Sequence, residues 1–509
     1  MRRLGLVLLV LLALLLDVRA RASLLGGNDL SALSDAITDI DLERAQKLAR
    51  AIDAQTPQFL LERARMLVYL GDCVGAMAVL SNPAVTESKE GAQLAQIAKN
   101  CAHATAAGFV IEDKPRGIWL RLQDDADRVF APFVFAVAAQ ARDRIGAELG
   151  VDMPRPLRID LVRDLFSLSA VTGLPLEAAE TTGTLAVARF GRIIMLSPQA
   201  TRSGYHWEDT LAHELTHLLV TRGTRDRAPL WLQEGIAKRE ETRWREPRPF
   251  DPKDWAEETA TRALRSGRQV GIDKLGPSIA MLPTPEAAST AYAEVQSFVS
   301  FFIAQQGEPA LRLLFADLKG LGVDDPASAL RSVTGYDLSA WNRRWQQHLL
   351  ESKLAEPQAM ALAPRGVDAR DLSRRARLGD LLLEAGFGSQ AALELAPGVS
   401  GGSSGYRFRV ARAELARKDP EQAAVRLGVE TEIDGLFGPW FGLRGRLLEK
   451  SDPKAAARAF ELGLASDPLA EEVACEGRFS VGSELDEARL PSSPDFRALC
   501  EAARKLPRD

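Results

Sequence analysis

The hydrophobic pattern changes texture twice along the chain. From about Ser31 to Gly108 apolar residues recur at helical spacing, as in Leu60-Leu61, Ala64 and Leu67-Val68. Leu70-Gly71-Asp72 closes that helix and Cys73–Leu80 begins another, which predicts an antiparallel helix pair. In the middle, LRIDLV (157–162) alternates apolar and polar positions like a half-buried strand, and a short helix is expected around Phe166. Leu185–Ala188 and Ile193–Leu196 flank Arg189-Phe190-Gly191-Arg192, the spacing of a hairpin. From Trp207 to about Leu350 the pattern is helical again. Strands followed by helices predict an α+β domain over 109–355, between all-α segments over 21–108 and 356–509.

The C-terminal segment repeats itself. The pairs Ala391-Ala392, Ala423-Ala424 and Ala456-Ala457 lie 32 and 33 residues apart, the last two after an Asp-Pro turn. A helix–turn–helix pattern with a period near 34 resembles tetratricopeptide (TPR) repeats, although the usual Trp and Tyr positions are missing. Such units bury their apolar faces against one another and offer surfaces to protein partners. Between two of them GVSGGSSG (398–405) reads as a flexible loop.

The first twenty residues are expected to be an address. Arg2 and Arg3 precede an apolar run, Leu4–Leu16, that is too short to span ~30 Å of hydrocarbon, and Val18-Arg19-Ala20 offers a cleavage site. A signal peptide for residues 1–20 implies export to the periplasm or medium, with no transmembrane segment in the mature chain. In such an oxidising compartment cysteines pair. Cys73–Cys101 and Cys475–Cys500 are favoured because each joins neighbouring helices, with four buried thiols as the alternative. Composition narrows function further. With 64 Lys+Arg against 69 Asp+Glu the net charge is −5, so no basic excess exists to meet a nucleic-acid backbone.

The chemistry is concentrated in Leu211-Ala212-His213-Glu214-Leu215-Thr216-His217. Trp207, Leu211, Leu215, Leu218 and Leu219 form an apolar stripe and Gly223 reads as a stop, which predicts an amphipathic helix. His213 and His217 stand at i and i+4, ~5–6 Å apart on one face, where both imidazoles reach one ion at Zn–N distances of ~2.0–2.1 Å. Glu214 lies ~100° round the helix and is free to face a water in the open coordination position. The following segment, Ala228-Pro229-Leu230-Trp231-Leu232-Gln233-Glu234-Gly235, offers a third ligand in Glu234, 17 residues beyond His217. Pro229 suits a first helical position. Two neutral imidazoles and one carboxylate leave a Zn2+ ion electrophilic.

Together, HELTH (213–217) and PLWLQEGIA (229–237) resemble the gluzincin clan of zinc metallopeptidases, closest to peptidase-MA-like domains of exported bacterial proteins. The resemblance covers about 155–350 and implies a thermolysin-like fold acting on a peptide or protein substrate. His213, His217 and Glu234 would be ligands and Glu214 the general base. AYAEVQSFV (291–299), with Gln306-Gly307-Glu308 and the stretch to Trp345, is similar to the region such domains carry downstream. By similarity Tyr292 would hydrogen-bond the oxyanion. One position departs: these enzymes carry an acid four residues after the glutamate ligand, and here that position is Lys238. A ligand imidazole needs an acceptor for its other N–H, which leaves Asp209, Glu240 and Glu241 as candidates. His206 is read either as a donor near the site or as a helix-start residue. In zincins an edge strand pairs with the extended substrate, so 185–188 or 193–196 is read either as that strand or as part of an ordinary structural hairpin. The rival to an enzyme is an interaction scaffold built on the helical repeats around an inert centre.

Overall fold

The computed structural model describes residues 29–52, 55–201, 205–244, 255–320, 326–353, 369–401, 404–429, 437–477 and 494–506; the expected signal peptide, 1–20, lies outside them. The chain is mostly helical around one small mixed sheet, with the strands in the order β1-β2-β3-β5-β4. The strands are β1 (Phe109–Asp113), β2 (Ile118–Leu122), β3 (Leu157–Val162), β4 (Ala186–Arg189) and β5 (Arg192–Leu196). Both outer pairs, β1/β2 and β4/β5, are antiparallel, and the inner pairs are parallel. β4 and β5 meet through Phe190-Gly191, whose φ values of 54° and 64° are both positive, as a tight hairpin turn matched to strand twist requires. Unanticipated in the sequence are β1, β2 and the long helix Ala131–Leu149 that carries the chain from β2 to β3.

Successive strand residues point to opposite faces, and both faces here are covered. Ile118, Leu120, Leu122, Leu157, Ile159, Leu161, Ile193 and Met195 join the main core with Ile145, Leu211 and Leu215. Val162, Ile194 and Leu196 instead meet Leu168, Val171 and the disulfide-linked Cys73 and Cys101. Asp160 on this second face accepts from Arg121 Nε at 2.6 Å and pairs with Arg192, while Arg121 Nη1 reaches Gly71 O at 2.8 Å. Gly71 caps helix Pro57–Leu70 at φ 81°, before helix Cys73–Leu80. A buried ion triad therefore ties the sheet to the turn of the N-terminal helix pair. Removing one partner of such a triad leaves a buried charge uncompensated, at a cost of about 3–5 kcal/mol.

At the other end three helical hairpins follow one another: 369–384 with 388–395, 404–416 with 420–427, and 438–448 with 453–466. Cys475–Cys500 is the second disulfide. The glycine-rich stretch expected as a flexible loop is largely helical. Ala396–Gly401 is a 3-10 turn and Ser404 already opens a helix, with 402–403 outside the described residues. Gly398 sits so close to the Tyr406 ring that a Cβ would lie 2.1 Å from it.

Helix Trp207–Thr224 runs through the middle. It is buried nearly all round rather than amphipathic, because strands, helix Ala131–Leu149 and helix Glu308–Lys319 cover it on several sides. Gly223 does not stop it. The helix ends at Arg225 in the left-handed region (φ 54°), and Gly223 packs where a Cβ would meet Phe315 at 2.7 Å. The next helix, Leu230–Glu240, starts one residue after Pro229, which caps it. That helix lies against Pro285–Gln306, with Trp231 edge-on to Phe298 at 5.2 Å. Contact is closest at Gly235, where a Cβ would fall 2.4 Å from Val299 Cγ2 and 2.6 Å from the Val295 carbonyl. Since the carbonyl is backbone and cannot step aside, Gly235→Ala should destabilise the fold by about 1–3 kcal/mol despite the better helix propensity of Ala. Urea unfolding measures this; an unchanged or raised midpoint would contradict so close an approach.

Candidate metal centre

Helices Trp207–Thr224 and Leu230–Glu240 bring three expected ligands to one point. His213 Nε2 and His217 Nε2 lie 3.2 Å apart, and Glu234 Oε2 is 3.7 Å from the first and 3.5 Å from the second. One ion bound tetrahedrally with arms of ~2.0–2.1 Å needs its ligand atoms about 3.3 Å apart. Among the described residues this is the one group of three or more His, Cys, Asp or Glu close enough to share a metal ion. Glu234 Oε2 is buried and accepts no hydrogen bond, an orphaned anionic oxygen aimed at two imidazole nitrogens. The donor set and the orphan oxygen fit a zinc ion.

The outer ring nitrogens are held as ligation requires. His213 Nδ1 donates to Glu241 Oε2 at 3.1 Å and His217 Nδ1 to Gln233 Oε1 at 3.3 Å. Gln233 is oriented in turn by donating from Nε2 to Thr221 Oγ1 at 3.4 Å. Of the three acids left open by the sequence, Glu241 is the one that meets an expected ligand imidazole, that of His213. Asp209 accepts from Trp244 Nε1, and Glu240 pairs with Arg239 and Arg243. His206 precedes the first helical residue and lies 3.3 Å from Asp209, so it is a helix-start residue. Gln233 went unnoticed as an imidazole partner. Its place directly before Glu234 on the same helix was the available signal.

Electrostatics follow from placing three carboxylates round two buried imidazoles. Burial disfavours a charged His213, but Glu234 and Glu241 outweigh it and hold the ring up to about 10. His217 is raised too, against burial, chiefly by Glu234. Glu234 is held below the usual carboxylate range by both imidazoles although burial opposes this. The centre attracts positive charge.

Glu214 stays within electrostatic reach of this cluster and meets the sheet edge, where its Oε2 accepts from the Ala188 N–H at 2.5 Å. Burial raises its carboxyl, with both imidazoles opposing. Tyr292, on helix Pro285–Gln306, has its ring 6.3 Å from that of His213. Burial and the charges of Glu234, Glu214 and Glu241 push its hydroxyl well up, so it stays a donor. Between the two strands considered for substrate pairing, the order decides: β5 is bonded to β3 on one side and β4 on the other, while β4 is the edge.

Residues 137–351 match the family model of the Peptidase MA superfamily, so a peptidase MA domain occupies a little under half of the chain. This agrees with the gluzincin resemblance of its two motifs. No curated protein and no solved structure matches the chain.

Chelator-treated protein should take up one equivalent of zinc. With His213 held up to about 10, uptake at neutral pH must displace a proton, and affinity should rise with pH until about 10. Equilibrium dialysis with a pH indicator in weak buffer reads both quantities, and His217→Ala should abolish them. Uptake that survives this substitution would place the ion elsewhere.

Proposed function

We propose that the chain is an exported zinc-dependent metallopeptidase that hydrolyses peptide bonds with Glu214 as general base. The observation carrying this is the mutual 3.2–3.7 Å spacing of His213 Nε2, His217 Nε2 and Glu234 Oε2 inside a peptidase MA domain. Zinc held by these three supplies Lewis acidity, polarising a carbonyl oxygen and acidifying water. Glu214, whose carboxyl burial has raised, takes the proton of the attacking water and returns it to the leaving amine. Ala188 N–H fixes one Glu214 oxygen and leaves the other for that transfer. Tyr292 donates its hydroxyl to the developing oxyanion. The β4 edge receives the extended substrate by strand addition.

Export is supported by the two disulfides, which persist in oxidising compartments. The helical hairpins at the ends are read as TPR-like units that bring a protein partner or substrate to the centre. The same hairpins support the second reading, a scaffold around an inert domain.

Incubating the zinc-loaded protein with a mixed peptide library separates the two. Cleavage is expected, together with its loss on chelation. Glu214→Gln should lower turnover by ~10²–10⁴-fold with zinc content unchanged. A library left intact by zinc-loaded wild type, or full turnover in the Gln variant, would reject the mechanism.

A further inference from the structure

We propose that Glu241 is the positioning residue of His213, and that Lys238, standing where gluzincins carry the acid, acts by bracing Glu241. The inference rests on the metal centre proposed above. Glu241 is the first residue beyond helix Leu230–Glu240. As the C-cap it keeps helical backbone angles (φ −56°, ψ −27°) and donates its N–H to Ala237 O, so its side chain still shares a face with Lys238. One oxygen accepts the His213 Nδ1 proton at 3.1 Å, and the other accepts from Lys238 Nζ, three residues back on the same helical face. Lys238 in turn lies 5.6 Å from the centroid of the Tyr292 ring, and that ring borders His213.

A closed set results, running Tyr292, Lys238, Glu241, His213. The ammonium sits between an aromatic face and a carboxylate and occupies the oxygen that would otherwise be free to swing. With Nδ1–H donated, the Nε2 lone pair is presented towards Glu234 Oε2 and His217 Nε2. The second imidazole is served differently. His217 donates to a neutral amide, Gln233 Oε1. An anionic acceptor makes the stronger hydrogen bond, so His213 is the more firmly oriented of the two. The acid displaced from the fourth position beyond Glu234 is thereby recovered three residues later, at the cost of a cation to steady it.

The test is zinc affinity of the full chain, measured against a competing chelator in the wild type, Glu241→Gln, Lys238→Met and the double variant. Glu241→Gln should weaken zinc about 10–100-fold. Lys238→Met should weaken it several-fold alone and not at all in the Glu241→Gln background, because one residue works through the other. In zinc-loaded protein the His213 Nδ1 proton should resonate far downfield and move upfield in Glu241→Gln, a change that general loosening of the fold does not produce. Wild-type affinity in Glu241→Gln overturns the inference, as does a Lys238→Met loss that persists in the double variant or a Lys238→Met gain. A wild type that binds no zinc overturns the centre itself, and the inference with it.

Discussion

Burial disfavours every charged group in a core, and where three ligand atoms meet it is opposed by the attraction of His213 and His217 for the Glu234 carboxylate. His213 Nε2, His217 Nε2 and Glu234 Oε2 stand within 3.7 Å of one another. Their convergence needs three constraints. Helix geometry puts the two imidazoles on one face. Gly235 lets the helix of Glu234 press against Pro285–Gln306 without a methyl between them. Glu241 and Gln233 hold the outer nitrogens, so neither ring can turn its lone pair away.

A site of this kind is only as rigid as its main helix, and helix Trp207–Thr224 is fastened at both ends by parts of the chain distant in sequence. At its C-terminal end Arg222 donates to the Asp152 and Asp39 carbonyls, and Arg225 pairs with Asp35 and Asp39. At its start Trp207 Nε1 reaches Leu464 O, 257 residues away. Phe496 meets Phe133 edge-on, and the main core runs on through Leu464, Val473, Phe496 and Leu499. Dispersion and area burial act wherever surfaces meet, so the terminal helices contribute to the same core as the helix that carries the histidines.

What could be read from the sequence follows from how local each signal is. The two histidines and Glu214 are set by one helix turn, and the hairpin by Phe190-Gly191; both survive any tertiary context. Burial on every side of Trp207–Thr224 was illegible because it depends on what covers Glu208, Asp209 and Thr216, which as residues read as a polar face. Gly223 resembled a stop for the same reason: a glycine needed for Phe315 to approach looks no different from one needed for a turn. β1 and β2 were missed because neither alternates cleanly. In β2 both faces are covered, and Arg121 has its charge met by Asp160 on the next strand. Glu241 could be nominated but not chosen, since Asp209 sits one turn before His213 on the same helix, and choosing between Glu240 and Glu241 depends on where the next helix ends.

The edge strand joins base and substrate on the proposed reading. Antiparallel pairing alternates the direction of backbone groups, and Leu196 N–H donates to Leu185 O, so residues 185, 187 and 189 face β5. Ala186 and Ala188 face outward. Ala188 N–H is held by Glu214, which leaves Ala186 N–H, Ala186 C=O and Ala188 C=O to pair with an extended peptide. Both residues are Ala, and they sit at the main core beside β5, where Ala186 is opposite Met195 and Ala188 opposite Ile193. On that reading, the strand that would receive the peptide also orients Glu214, the proposed general base. A register slip of one residue would turn Ala188 N–H towards β5 and release Glu214, so strand register and the placing of the Glu214 carboxylate are a single constraint.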